Sequence, residues 1–393
     1  MSDAFAHWRA WAERSRWAPL AVLVFAAPCL SGVIGRLVKG RAFFAEYESI
    51  ACAGERVNAG LSPYAADFGC PGMHAQPFVY LPWVADAAGA ALRAVGPDAM
   101  RSIYLIAYLA TVALIGWLVF LRKATPGRPI ERAPFLALIT GSAIDVGNIA
   151  IPIAALVALA ALQMSKRPLV FIAIVALAGA IKPFQLTYLA LIPIALGGSL
   201  TRRAAYSALG AIIGIGIFAA AMRLGDQAML SDWLTAASRM ALEVAPGEGL
   251  FGWIFGLGFS PPTAILGLAA AGFAAAMVGA AMIAADRAKL DVEPRIWLGM
   301  TAAALATPRL MQIDLLLLGP GLVTLAAATC AFAPQIGRRV SQLIFGGACA
   351  AVLLSLADLG EYALKAATAA FALAALAAAA AGLRLPASPG QAR

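Results

Sequence analysis

Long apolar runs recur from residue 18 to residue 383, and the short polar stretches between them carry most of the basic residues. A run of about 20 apolar residues is long enough to cross a bilayer as a helix, and a helix satisfies its own backbone N–H and C=O groups in hydrocarbon. That feature alone removes most soluble architectures. With 62% hydrophobic residues, 12% charged residues and a mean hydropathy of +0.84, the chain reads as an all-α polytopic membrane protein, one integral membrane domain over residues 1–393. Its net charge of +9 would suit nucleic acid. The basic residues, however, sit in loops between apolar runs, the distribution that membrane insertion imposes, so lipids and not nucleic acid are the expected surroundings.

The first run, 18–39, follows a segment carrying Arg9, Arg14 and Arg16 and lacks a convincing cleavage site, so it reads as a retained first helix. Basic clusters at Arg122–Lys123 with Arg128 and Arg132, Lys166–Arg167, Arg202–Arg203, Arg287 with Lys289 and Arg295, and Arg338–Arg339 are assigned to the cytoplasm. The chain must then cross an even number of times between clusters. Segments 133–164, 169–198 and 296–331 each have length for two short spans and read as hairpins, with turns near "DVGN" (145–148), "IKPF" (181–184) and "TPRLMQID" (307–314). Residues 204–222 and 263–285 flank a second outer loop, 223–262. A final pair, 340–357 and 363–383, turns near Asp358, Glu361 and Lys365. Residues 102–222 thus form a transmembrane core and 263–383 a C-terminal set. Residues 78–95 contain Pro82 and Asp86 and read as a juxtamembrane or partly re-entrant helix; the alternative is a true span that puts one basic loop on the wrong side. The count is about twelve spans with both ends inside.

A large first outer region, 40–101, then holds an unusual concentration of charge, "FFAEYESIACAGER". Cys52 and Cys70 share this region and could form a disulfide in an oxidising compartment, whereas Cys29, Cys330 and Cys349 lie in apolar runs and read as packing residues. Glu46 and Glu48 are two apart, so on a helix they cannot share a face. Either carboxylate can serve as a general base within hydrogen-bond reach of a hydroxyl, although most loop acids are simply solvated. His74 is a second acid/base candidate in the same region.

Ionisable residues at membrane depth are costly and mark sites, with interhelical ion pairs as the bland alternative. Lys182 interrupts "VALAGAIKPFQLTYLALIPIAL" just before Pro183; it can snorkel to the interface or meet an anion. Arg309 follows Pro308 at another turn and can grip a phosphate through two parallel bonds. Asp314 can orient Arg309, pair with it structurally, or bind a sugar hydroxyl. Asp145 and Asn148 mark the "DVGN" turn, where helix capping is the simple reading, above all for Asp145. A Walker A sequence, an HExxH pair and paired CxxC motifs are absent, so neither ATP-driven transport nor zinc proteolysis is supported.

The ordered set of short motifs resembles the GT-C membrane glycosyltransferases, and within them the family 87 (DUF2029) enzymes that use polyprenyl-phosphate sugars. The matching stretches are "EYESIACAGERVNAGLSPY" (46–64), "VYLPW" (79–83), Gly147–Asn148, "IKP" (181–183) and "TPRLMQIDLLLL" (307–318). Aligned on Gly60 to Tyr64, the family's usual catalytic aspartate falls on Glu46. This departure lengthens the carboxylate arm and leaves Glu48 as an alternative base. The resemblance implies a GT-C-like fold and inverting transfer of a sugar, often mannose in relatives, to a lipid or glycan acceptor at the outer face of a bacterial inner membrane. It implies Lys182 and Arg309 on the donor phosphate, Tyr47, Tyr64, Tyr80, Asn148, Gln312 and Asp314 around the substrates, and no metal or other cofactor. Two other readings remain open: a transporter or lipid flippase for an anionic or lipid-linked substrate, which would show internal repeats and midplane charges, and a non-catalytic scaffold.

Overall fold

The computed structural model describes residues 3–385 apart from residues 66, 225, 226 and 358, so Asp358, expected at the last turn, lies outside the described residues. The chain is 77% helical, with no strand among the described residues. It opens with α1 (Ala4–Ala12) and α2 (Ala18–Val38), followed by α3 (Ala45–Asn58), α4 (Pro82–Val95) and α5 (Pro97–Gly116). The middle of the chain forms α6 (Ala150–Leu162), α7 (Pro168–Ile181), α8 (Leu200–Ala221) and α9 (Gln227–Arg239). The last third forms α10 (Thr263–Arg287), α11 (Val292–Ala306), α12 (Leu318–Phe332), α13 (Pro334–Leu356) and α14 (Gly360–Arg384).

Seven segments are long and apolar enough to cross a membrane: Ala18–Val38, Pro97–Leu121, Leu200–Ala221, Thr263–Arg287, Gln312–Phe332, Pro334–Leu356 and Tyr362–Arg384. Three further apolar pieces, Ala150–Leu162, Pro168–Ile181 and Pro183–Ala195, are shorter. Their brevity has a local cause. Proline lacks an N–H and pushes the residue before it out of the helical region, so Pro183 parts the last two pieces, whereas Pro28 sits inside the unbroken Ala18–Val38 helix. Helices α2, α5 and α8 turn large apolar side chains such as Leu23, Ile106 and Ile212 outward, a surface suited to lipid and not to water.

The buried face of the C-terminal helices is built largely from Ala and Gly, with Phe135 and Phe371 filling the space between them; small residues let helix backbones approach closely. A second apolar core surrounds Trp297, Phe171 and Val157 and joins α5, α6, α7 and α11. One end of the bundle is laced by ion pairs between the expected basic loops and nearby acids: Arg9 with Glu131 at 2.6 Å, Arg295 with Asp286 at 2.6 Å, Arg203 with Asp286 at 3.3 Å, and Arg122 with Glu293. The opposite end carries the three expected turns.

At that second end α3 and α4 form a separate small layer. Within residues 78–95, whose role the sequence leaves between a re-entrant helix and a span, Pro82–Val95 forms a 14-residue helix that packs along α3 through Val84, Ala85 and Ala88. The two backbones nearly touch: a Cβ on Gly54 would lie 2.6 Å from the Gly89 nitrogen. Cys52 and Cys70 are disulfide-bonded, with Cα atoms 5.6 Å apart, and close the loop that leaves α3.

Candidate functional site

Three chain breaks and one helix start meet at the end of the bundle opposite the Arg9, Arg122, Arg203 and Arg295 pairs. Helix α7 stops at Ile181, and Lys182 adopts extended geometry (φ −136°, ψ 100°) ahead of Pro183, as a residue preceding proline should. Helix α11 stops at Ala306, and Thr307 does the same ahead of Pro308 (φ −71°, ψ 114°). Their hydroxyl-bearing flanks touch, Thr187 Oγ1 to Thr307 Oγ1 at 3.0 Å. The third break, residues 146–149, receives the start of α3: Phe44 N–H donates to the Asp145 carbonyl at 2.8 Å and Glu46 N–H to the Val146 carbonyl at 2.9 Å. An N-terminal N–H that the helix itself cannot satisfy thus fixes where Glu46 stands.

The Glu46 carboxylate accepts a hydrogen bond from the Tyr80 hydroxyl. Tyr80 is held in turn by its main chain, whose carbonyl accepts from Tyr64 Oη at 2.6 Å, and by the adjoining Val79 carbonyl, which accepts from Trp233 Nε1 at 3.0 Å. Trp83 Nε1 donates at 2.8 Å to the Ala180 carbonyl, left free where α7 breaks. Burial, then the Glu46 charge, pushes the Tyr80 hydroxyl well above the ordinary tyrosine value, so it remains a donor.

Two cations face the same region. Burial lowers Lys182 from the usual lysine value, while Asp314 and then Glu46 act in the opposite direction. Burial likewise lowers Arg309, again against the pull of Asp314 and Glu46. The Arg309 guanidinium is aimed by a bond from Nε to the Ala245 carbonyl at 2.8 Å. That carbonyl belongs to the second large loop, which folds back on the Pro308 turn through Glu248 N–H to Leu310 O at 2.6 Å and Phe251 N–H to Pro308 O at 3.0 Å. Gly247 permits this fold-back: its φ is +85°, and a Cβ there would sit 2.5 Å from the Leu310 oxygen.

Lys182 and Arg309 line two adjoining spaces. One is a polar recess of about 10 Å³, shared with Gln185 and Asp314, at the lower limit for one water. The other is a cavity of about 330 Å³ walled by Tyr80, Phe184, Trp233, Leu242, Phe251 and Leu266, largely apolar beside the two cations, with Tyr80, Ser238 and Thr263 as its other polar side chains. A carboxylate held by a buried tyrosine, two cations and an apolar groove therefore share one place. That set can remove a proton from a hydroxyl and hold an anionic leaving group attached to a hydrocarbon chain.

The remaining sequence candidates separate into three groups. Asp314 stands beside the cations, but its Oδ2 accepts from Met311 N–H at 3.0 Å, and Arg309–Asp314 is not among the ion pairs of the described residues. Gln312 bonds Thr140 Oγ1 at 2.7 Å and Glu248 at 3.3 Å on the far side of this turn. Glu48 faces the first loop, accepting from His74 N–H at 2.6 Å, and the His74 side chain is exposed. Tyr47 is buried against α5, its ring 5.0 Å from Tyr104 and its hydroxyl directed at the Pro97 carbonyl. Asn148 accepts from Ala150 N–H at 2.9 Å, closing the turn just ahead of α6. The capping expected of Asp145 is thereby corrected: Asp145 instead pairs with Arg36 at 2.6 Å, across more than a hundred residues.

Residues that sequence reasoning passed over also converge here. Gln185 is buried beside Lys182 with its Oε1 unbonded, three residues after the lysine in a 3₁₀ turn, a spacing that could have flagged it. Tyr104 and Tyr108 donate to the Gly147 and Ile144 carbonyls and hold the third break from α5. Trp83 and Trp233 gave no local signal, because their partners lie 97 and 154 residues away. No known family, no curated protein and no solved structure matches the chain.

Proposed function

We propose that the protein is an inverting, polyprenyl-phosphate-dependent glycosyltransferase of the GT-C kind, resembling family 87. Counting the three shorter apolar pieces, α11 and the apolar stretch 133–145 as crossings beside the seven long segments gives twelve, with both termini in the cytoplasm of a bacterial cell and the site on the periplasmic side of the inner membrane. The Cys52–Cys70 bond supports that side, since disulfides persist in oxidising compartments.

In this reading Glu46 takes the proton of an acceptor hydroxyl as its oxygen attacks the anomeric carbon of the donor sugar. The bond from that carbon to the phosphate oxygen breaks, and polyprenyl phosphate departs. Lys182 and Arg309 meet the charge that develops on the phosphate, and the apolar cavity beside them receives the first isoprene units. The phosphate charge is met by these side chains, so the proposal calls on no metal. The observation that carries it is that Tyr80, whose hydroxyl holds Glu46, lines the same largely apolar cavity as Lys182 and Arg309.

Purified protein incubated with polyprenyl-phosphoryl hexoses and membrane-lipid acceptors tests the reading. Release of polyprenyl phosphate together with a glycosylated acceptor is expected, and Glu46→Gln should lower kcat by about 10²–10⁴-fold, the usual contribution of a general base. Unchanged turnover in the variant removes Glu46 from that role. Failure of any donor to release polyprenyl phosphate refutes the transferase and favours transport.

A further inference from the structure

A cavity of about 220 Å³ lies between α2 and α5. The cavity at Lys182 and Arg309 shares none of its described lining residues. Each of the two helices finds its main packing elsewhere, α2 on residues 133–145 and α5 on α6, and the space lies between them. Ala26, Cys29 and Leu30 border it from the middle of the Ala18–Val38 segment, and Ile115, Gly116 and Phe120 from the last part of Pro97–Leu121. Leu30 is exposed on the outward side of α2 and Trp117 on that of α5, so the space opens toward the surface that suits lipid.

Its lining decides the chemistry of what it takes. Among the described lining residues the Cys29 sulfur is the only side-chain heteroatom. Water needs several polar partners to enter such a space, and a dry apolar cavity of about 150 Å³ is already large enough to bind benzene. The ligand class is therefore hydrocarbon. Two features of α5 hold the room for it. A Cβ on Gly116 would meet nothing within 4 Å, and beyond Gly116 the helix widens to π geometry over Trp117–Leu121, a local departure that often marks a functional place.

We propose that this cavity is an intramembrane site for one acyl chain of a bilayer phospholipid, held as a bound lipid and not as a reactant. A bilayer presents such chains all along the outward surfaces of α2 and α5, whereas the donor's chain has its own cavity beside Lys182 and Arg309. The site goes beyond the transferase reading and does not depend on it. It does touch the same framework. Ile144 and Ile151 line the cavity and bracket the break at residues 146–149, and the Ile144 carbonyl accepts from Tyr108 Oη at 2.6 Å. A chain seated against these two isoleucines braces the segment whose Val146 carbonyl receives Glu46 N–H.

The test is photolabelling of the full-length protein in phosphatidylcholine nanodiscs that contain phosphatidylcholine with a diazirine in one acyl chain. Label should concentrate on Cys29 and on the peptide that holds Gly116. Gly116→Leu sends a side chain into the open space and should lower labelling of Cys29 about tenfold, the loss of 1.4 kcal/mol of contact. Ala26→Leu fills the same space from α2 and should do likewise to the Gly116 peptide. The comparison uses whichever filling variant melts at or above the wild-type midpoint in detergent. Ala113→Leu, on the exposed side of α5, should leave the labelling as it is. Excess unlabelled phosphatidylcholine should displace the label and polyprenyl phosphate should not. Label spread evenly over Ala18–Val38 and Pro97–Leu121 in wild type, or undiminished in the filling variants, overturns the site. Displacement by polyprenyl phosphate gives the cavity to the donor's chain and overturns the phospholipid. All these results leave the transferase reading untouched, because turnover is not measured.

Discussion

Opening the Cys52–Cys70 bridge tests both the fold of the first loop and the side of the membrane on which it lies. The bond closes a loop of 18 residues between α3, where Cys52 is fully buried, and the strand-like run leading to Tyr80. Loop-closure entropy for that length gives about 3 kcal/mol of stabilisation. The non-covalent ties across the same gap are Glu48 to His74 N–H at 2.6 Å and Ser49 Oγ to Gln76 N–H at 2.6 Å. A bond to a charged group contributes about 1.5–3 kcal/mol and a neutral one about 1 kcal/mol, so the bridge is comparable to both together. Losing it should raise the population of the opened loop roughly a hundredfold, since every 1.4 kcal/mol is tenfold.

Two measurements check this. Alkylation of intact membranes without reductant, followed by mass spectrometry, should leave Cys52 and Cys70 unmodified and joined. Hydrogen exchange on the purified protein should then show residues 59–77 opening about a hundredfold more often in Cys70→Ala than in wild type, while α10 to α14 are unchanged. Alkylation of both thiols in untreated membranes would put the loop, and Glu46 with it, on the reducing side, and the proposed topology would fail. Exchange that is the same with and without the bond would show that the hydrogen bonds alone hold the loop, and the entropy argument would fail.

Lys182→Arg should extend activity to higher pH: burial lowers the lysine below its ordinary 10.5, so wild type loses its charge, and its rate, early as pH rises, whereas arginine stays charged. The sign for stability is opposite. Between the lowered folded value and 10.5 the unfolded chain binds more protons, so wild-type stability rises with pH through that window. Coincident alkaline limbs in the two pH–rate profiles would exclude Lys182 as the titrating group. Gly54→Ala places a Cβ 2.6 Å from the Gly89 nitrogen, in backbone that cannot rotate away, and should cost about 1–3 kcal/mol by forcing α4 off α3. A lowered thermal midpoint together with reduced kcat is expected, and an unchanged midpoint would show that the layer is looser than its contacts imply.

What was legible in the sequence follows the range over which each physical cause acts. Pro183 and Pro308 end helices by local sterics, so the breaks at Lys182 and Thr307 could be read directly, and with them the end of the bundle at which polar groups collect. The alternation of basic loops and apolar runs likewise announced a multi-span helical protein. Asp145 shows where this reasoning stops. A helix cap is a local expectation, but its partner Arg36 lies on α2, and only the packing of α2 against the 141–145 turn brings a guanidinium near enough to compete. Trp83 and Trp233 are the same case: each satisfies a carbonyl freed far away in the chain. Two cavities lined by cations extend the point. Lys182 and Arg309 interrupt apolar helices at a visible cost and so advertise themselves, whereas Arg36, Lys39 and Arg41 read as an ordinary basic flank after a first span. Only the fold shows that these cations and the buried Asp145 border one cavity, of about 390 Å³.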